Sequence, residues 1–89
     1  MSIDEIQAKL DAAEAVFNVQ LRAFKAADAA YRKSKSNKNA AAFVQASEAF
    51  DVVATECRDL QDALAKAYRK AERAAWHEAR KQPEQIALF

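Results

Sequence analysis

The chain has 89 residues, which limits it to a single domain. It contains no glycine, one proline and one cysteine, and about a quarter of it is alanine. Alanine is the strongest helix former, whereas many-turned folds and phosphate-binding loops depend on glycine. This composition excludes β-barrels, Rossmann units, P-loops and disulfide scaffolds. A formal net charge of +1 also excludes a chain that is polybasic or acidic throughout.

The first half of the chain predicts one long helix. Large apolar residues recur every seven positions, at Ile3, Leu10, Phe17, Phe24 and Tyr31. A second series falls between them, at Ile6, Ala13, Gln20 and Ala27. Alternating steps of three and four residues place both series on one stripe, which is typical of a coiled-coil seam. Ser2 and Glu5 have the spacing of a capping box, so we predict a helix over 2–33.

The polar segment 34–39 predicts a turn. It contains Asn37 and Asn39, and asparagine adopts left-handed or N-capping conformations where a chain lacks glycine. A second helix is predicted over 40–81, because Pro83 cannot continue it. Its seam residues are Phe43, Phe50, Cys57, Leu64 and Ala71, interleaved with Ala46, Val53, Leu60, Ala67 and Ala74.

A turn this short makes the helices antiparallel. We therefore predict an all-α fold, a coiled-coil-like two-helix hairpin over 1–81 followed by an extended tail over 82–89. Two seam registers remain open, one with Phe24 opposite Ala46 and one with Phe24 opposite Val53. Both alternate large with small side chains, as a packed seam requires.

Two helices bury little apolar surface, and oligomerisation is a common solution for short chains. Several apolar residues lie off the predicted seam, and a homodimer that forms a four-helix bundle would cover them. The alternative is a monomer, since isolated exposed valines are ordinary on protein surfaces. The off-seam residues are Val16, Val19, Leu21 and Val52.

The sequence offers no constellation for catalysis or metal binding. Cys57 lies on the seam, where a small buried hydrophobe needs no further role. His77 has cations three and four positions away, at Arg73, Arg80 and Lys81, which repel a metal ion. We therefore expect no enzymatic activity, no metal and no cofactor. We expect a cytoplasmic protein, because charges interrupt every apolar run and the N-terminus lacks a signal peptide's apolar core.

The end of the predicted second helix is basic and carries the single tryptophan of the chain. Cations here favour the C-terminal end of the helix dipole, and they could equally contact a phosphate backbone or a partner protein. The candidates for such a weak contact with duplex DNA or a partner are Lys66, Arg69, Lys70, Arg73, Trp76, Arg80 and Lys81.

The last five residues are Gln85, Ile86, Ala87, Leu88 and Phe89. This segment resembles the pentapeptide by which bacterial replication and repair proteins bind the DNA polymerase sliding clamp. That pattern is glutamine, an aliphatic residue, a small or acidic residue, leucine and phenylalanine. Ala87 stands where serine or aspartate is more usual, and the other four residues match.

The resemblance implies a small non-enzymatic adaptor or modulator of DNA replication or repair, of bacterial or bacteriophage origin, whose partner is the sliding clamp. Whether it inhibits the clamp's other clients or recruits a protein to it stays open. One alternative is a structural hairpin module whose tail folds onto its own core. Another is a weak nucleic-acid-binding module that uses the basic end of the second helix.

Overall fold

The computed structural model describes residues 1–81, which form two helices joined by a short turn. Helix α1 spans Ile3–Lys33 and helix α2 spans Asn37–Arg80. The helices pack against each other in antiparallel orientation, and the described part of the chain contains no strand. The predicted all-helical hairpin is therefore confirmed. The predicted tail, 82–89, lies outside the described residues.

Helix α1 begins with a cap close to the one that the sequence predicts. The Ser2 hydroxyl oxygen accepts a hydrogen bond from the Glu5 backbone N–H at 3.1 Å. In return the Glu5 carboxylate accepts from the Ser2 hydroxyl at 3.2 Å, rather than from the Ser2 backbone N–H as in a full capping box. Acidic residues in the first turn and basic residues in the last complement the helix dipole.

The turn differs from the prediction, because Ser36 caps α2 rather than Asn37 or Asn39. The Ser36 hydroxyl accepts from the Asn39 backbone N–H at 3.1 Å, so α2 begins at Asn37, three residues earlier than predicted. Ser34 and Ser36 are both extended, and no residue within 1–81 has a positive φ. Two extended serines reverse the chain here without a left-handed residue.

Asn39 instead joins the two helices. Its side-chain amide nitrogen donates to the Ser34 carbonyl at 2.8 Å and to the Ala30 carbonyl at 3.3 Å. Both acceptors lie at the end of α1, where helix carbonyls run out of donors within the helix, and the Ala30 carbonyl also accepts from the Ser34 backbone N–H at 3.0 Å. One side chain from α2 therefore satisfies the end of α1 and holds the turn closed.

A column of aromatic rings sets the register of the seam. Phe24 contacts Phe43 and Phe50, with ring centroids 5.4 and 5.6 Å apart. Phe24 therefore lies between these two rings, beside Ala46 and a full heptad from Val53, so the first of the two predicted registers is the one adopted. Phe17 meets Phe50 at 5.0 Å and Tyr31 meets Phe43 at 5.9 Å. Along the seam, aromatic rings from α1 and from α2 therefore alternate, and each ring contacts the nearest rings of the other helix.

The buried core lies at the other end of the hairpin from the turn. Four residues form it: Leu10, Ala13, Val53 and Cys57. Phe17, Leu60 and Leu64 are partly buried and pack against this cluster. Ile6 is also buried, at 5% exposure, and with it the buried residues within 1–81 number five. The hydrophobic core is small for a chain of this length.

Helix α2 is 13 residues longer than α1, with 44 residues against 31. In the observed register the first residue of α1, Ile3, lies opposite residue 67. We call residues 68–81, which extend past α1, the arm. At 1.5 Å per residue the arm holds its end about 20 Å beyond the hairpin. Neither α1 nor α2, the two helices described, has a stretch long and apolar enough to cross a membrane.

Candidate functional site

All seven predicted contact residues at the end of α2 are exposed. Six of them lie on the arm, and Lys66 lies just before it. Because α1 ends its contact near residue 67, no side chain of α1 covers the arm, and every residue from Tyr68 to Glu78 is exposed. All seven are therefore accessible to a partner.

Four of the seven form one continuous row, which we call the arm stripe: Arg69, Arg73, Trp76 and Arg80. They are spaced by four, three and four residues, so they lie on the same face of the helix. At 100° per residue this face points away from the seam positions Ala71 and Ala74. Lys70 and Lys81 lie to one side of the stripe. The seven candidates thus divide into an ordered row and flanking charges.

Trp76 is held within this row by its neighbours. The Arg80 guanidinium lies over the indole ring, 4.5 Å from the ring centroid, as in a cation–π pair. The His77 ring meets the indole edge-on, with centroids 5.2 Å apart. Trp76 nevertheless remains 54% exposed. It presents a large aromatic surface to solvent among three arginines, an arrangement that the i, i+4 spacing of Trp76 and Arg80 could have suggested from the sequence.

The arginines of the stripe are not neutralised by any described carboxylate. Within residues 1–81 the single ion pair joins Arg32 to Asp28 on α1, at 3.2 Å. The arm has five lysines and arginines against two glutamates, Glu72 and Glu78. Glu72 lines a shallow groove with Arg69, Arg73 and Trp76 but pairs with neither arginine. The arm therefore presents a net positive surface.

A second surface lies on the hairpin body, in a groove between the two helices. Its apolar lining includes Ala12, Val16, Val52 and Leu60. Val16 is 47% exposed and Val52 is 68% exposed, which is high for large aliphatic side chains. Lys9 lines the groove from α1, and Glu56 and Asp59 line it from α2. We call this surface the valine groove. Of the other off-seam residues, Val19 is exposed and Leu21 is half-buried.

Cys57 has the surroundings of a structural cysteine. The side chain is 7% exposed and packs in the core. Burial raises the pKa of the Cys57 thiol, and the negative charges of Glu14 and Glu56 raise this pKa further. A raised pKa lowers the thiolate fraction, and thiolate is the reactive form. Among the described residues no three His, Cys, Asp or Glu side chains are grouped as a metal site requires.

The five residues of the clamp-binding resemblance, Gln85–Phe89, lie outside the described residues. The described chain leads to them through the end of the arm, where Lys81 caps α2. Comparison with protein-family models, curated proteins and solved structures finds no match for this chain.

Proposed function

We propose that the protein is a small non-enzymatic adaptor or modulator that binds the bacterial DNA sliding clamp through Gln85–Phe89. The observation that carries the proposal is the pentapeptide itself, in which four of five residues match the clamp-binding pattern. In this mode the Gln85 amide hydrogen-bonds at the rim of the clamp's pocket. Leu88 and Phe89 fill its apolar cleft, and Ile86 covers the adjoining surface.

The arm supports this proposal because of where it ends. The pentapeptide is attached four residues after Lys81, at the end of a helix with no α1 residue beside it. A partner as large as a clamp can approach such a position without colliding with the hairpin body. Pro83 separates the helix from the motif and favours an extended chain there.

The same geometry disfavours a tail that folds onto its own core. In the observed register Ile6, the nearest buried residue of α1, lies opposite Leu64, about 25 Å along α2 from Lys81. Eight residues span at most about 29 Å when fully extended. Phe89 would reach Ile6 only with the whole tail stretched along the arm, which leaves no slack for packing.

The energetics of docking are those of a short linear motif. Burying Leu88 and Phe89 contributes roughly 1.5–3 kcal/mol for each side chain. Ordering an extended peptide offsets part of this gain, so one copy should bind with about micromolar affinity. Occupying the pocket displaces other clients, or it recruits whatever the hairpin binds. Because the clamp encircles DNA, docking also brings the basic arm close to the duplex.

Calorimetry with a purified bacterial sliding clamp tests the proposal. The intact chain should bind, and both a chain truncated after Gln82 and the double variant Leu88→Ala, Phe89→Ala should not. The matched control is Val19→Ala, Val44→Ala, which also removes two exposed apolar side chains, here from the hairpin body. Binding equal to that of the intact chain is expected for this control. Absence of binding by the intact chain would refute the proposal.

The valine groove favours a second candidate function, a homodimeric interaction module. Two copies packed through this groove would form a four-helix bundle and cover Val16 and Val52. In an antiparallel pairing Lys9 of each copy can approach Glu56 and Asp59 of the other, which gives charge complementarity. A dimer would also carry two clamp-binding peptides, which increases avidity for a ring if both can engage.

Sedimentation equilibrium tests the dimer. The apparent mass of the intact chain should rise with protein concentration, from that of a monomer to that of a dimer. The variant Val52→Glu should remain monomeric. The control Val44→Glu changes a valine of similar exposure outside the groove and should still dimerise. A monomer at every concentration, or equal effects of the two variants, would exclude the valine groove as the interface.

A further inference from the structure

The arm stripe combines a row of cations with an exposed aromatic ring. Arg69, Arg73 and Arg80 present three guanidinium groups along about 16 Å of one straight helix. None of them forms an ion pair with a described carboxylate. Trp76 lies in the same row, 54% exposed, with Arg80 stacked on its ring. A ligand that satisfies the whole row must therefore be a polyanion with flat, unpaired aromatic rings.

We propose that the arm stripe binds single-stranded nucleic acid, with the arginines on phosphates and a base stacked on Trp76. Base stacking on aromatic side chains beside a positive groove is the general mode of single-strand binding. The bases of a duplex are stacked on each other, so none is available to stack on the exposed part of the indole. Duplex DNA would use the arginines alone, so Trp76 decides between the two forms.

Two other polyanionic partners fit the stripe less well. An anionic membrane surface binds helices that carry a broad apolar face opposite their cations. On the arm that opposite face holds small and charged residues, such as Ala71, Ala74 and Glu78, and the tryptophan lies among the arginines instead. An acidic peptide would pair with the arginines but offers no ring for Trp76. Both remain outcomes of the test.

This inference does not rest on clamp binding, because it uses only residues of the arm. A chain truncated after Gln82 keeps the arm stripe and lacks the pentapeptide. It should bind single strands as the intact chain does, even though it should fail to bind the clamp. The refutation of one proposal would therefore leave the other untouched.

The single tryptophan of the chain makes the test site-specific. An oligothymidine of about 20 nucleotides, titrated into the intact protein at about 50 mM salt, should quench the fluorescence of Trp76. The affinity should fall as salt rises, with a slope of log K against log salt near −2 for three phosphate contacts at about 0.7 each. A duplex of the same length should leave the fluorescence unchanged.

Variants locate the contact, with fluorescein anisotropy of the oligonucleotide as the readout. Trp76→Ala should weaken binding by about 5- to 150-fold, and Trp76→Phe should retain part of it. Arg69→Gln, Arg73→Gln should reduce the salt slope by about 1.4. The matched control Arg22→Gln, Lys25→Gln removes the same charge from exposed positions on α1 and should leave affinity and slope unchanged.

Several results would overturn the proposal. One is the absence of quenching by the oligonucleotide, and another is equal quenching by the duplex. An equal loss of affinity in the arm variant Arg69→Gln, Arg73→Gln and in the control Arg22→Gln, Lys25→Gln would also overturn it. The electrostatic attraction would then be spread over the protein surface rather than located on the arm stripe. Binding of polyglutamate or of anionic vesicles, with none of the oligonucleotide, would assign the stripe to an acidic peptide or to a membrane surface.

Discussion

The seam register yields a prediction that a double-mutant cycle can measure. Phe24 contacts the rings of Phe43 and Phe50, whereas Val53 lies a further heptad along α2, about 10 Å from the position opposite Phe24. The variants Phe24→Leu and Phe43→Leu remove the rings while nearly preserving side-chain volume. If the rings interact as described, the two substitutions should not be additive.

The expected coupling follows from the ring geometry. Aromatic pairs with centroids 4.5–7 Å apart contribute about 0.5–1.5 kcal/mol beyond the burial of their area, and the Phe24 and Phe43 centroids are 5.4 Å apart. We therefore expect a coupling of about 1 kcal/mol between them. For the second cycle, Phe24→Leu with Val53→Ala, we expect a coupling free energy within about 0.5 kcal/mol of zero, because the two side chains are a heptad apart along the seam. Total stability for a folded unit of the 81 described residues is about 4–12 kcal/mol, so the double variants should still fold.

Urea unfolding followed by circular dichroism at 222 nm gives the four free energies of each cycle. Protein concentration is held constant, so that any dimerisation affects all variants alike. A coupling to Val53 that exceeds the coupling to Phe43 would mean that the seam adopts the other register. It would also refute the position of the arm, because a shift of one heptad shortens the arm by seven residues.

Other predictions concern the turn and the core. Asn39→Ala should lower the free energy of unfolding by about 1–3 kcal/mol, because it removes two hydrogen bonds to the end of α1. In the same urea titration the control Asn37→Ala should change this free energy by less than about 0.5 kcal/mol. Ser36→Ala should cost about 1 kcal/mol through loss of the α2 cap, and its neighbour Lys35→Ala should cost little. The folded chain keeps the Cys57 proton at a pH where the unfolded chain has lost it, because folding raises the pKa of this thiol. Stability should therefore fall as pH rises above about 8.5, the ordinary thiol pKa, and this part of the fall should be absent in Cys57→Ala.

Much of the fold followed from the sequence because a heptad pattern constrains a helix over its whole length. The apolar series from Ile3 to Tyr31 gave α1 to within one residue at its start. The register could not be predicted, since both registers alternate large and small side chains. What decides it is contact between rings on different helices, such as Phe24 and Phe50, which spacing along one helix does not encode.

The turn was the least predictable element. Asn37 and Asn39 were the predicted capping residues, but serine and asparagine compete for the same role. Ser36 takes the cap, and this frees the Asn39 side chain to reach α1. At the candidate site the seven residues could be named from their charge and position in the chain, while their arrangement as a stripe, with Arg80 stacked on Trp76, needed helix geometry.

Displacement of a labelled peptide is the most direct test of the central claim, that Gln85–Phe89 occupies the peptide pocket of the sliding clamp. A fluorescent peptide known to occupy that pocket is bound to a bacterial clamp, and the unlabelled protein is titrated in. The intact chain should displace the peptide completely, with about micromolar affinity, and the chain truncated after Gln82 should displace none. Displacement by both chains, or by neither, would mean that Gln85–Phe89 is not the segment that occupies the pocket.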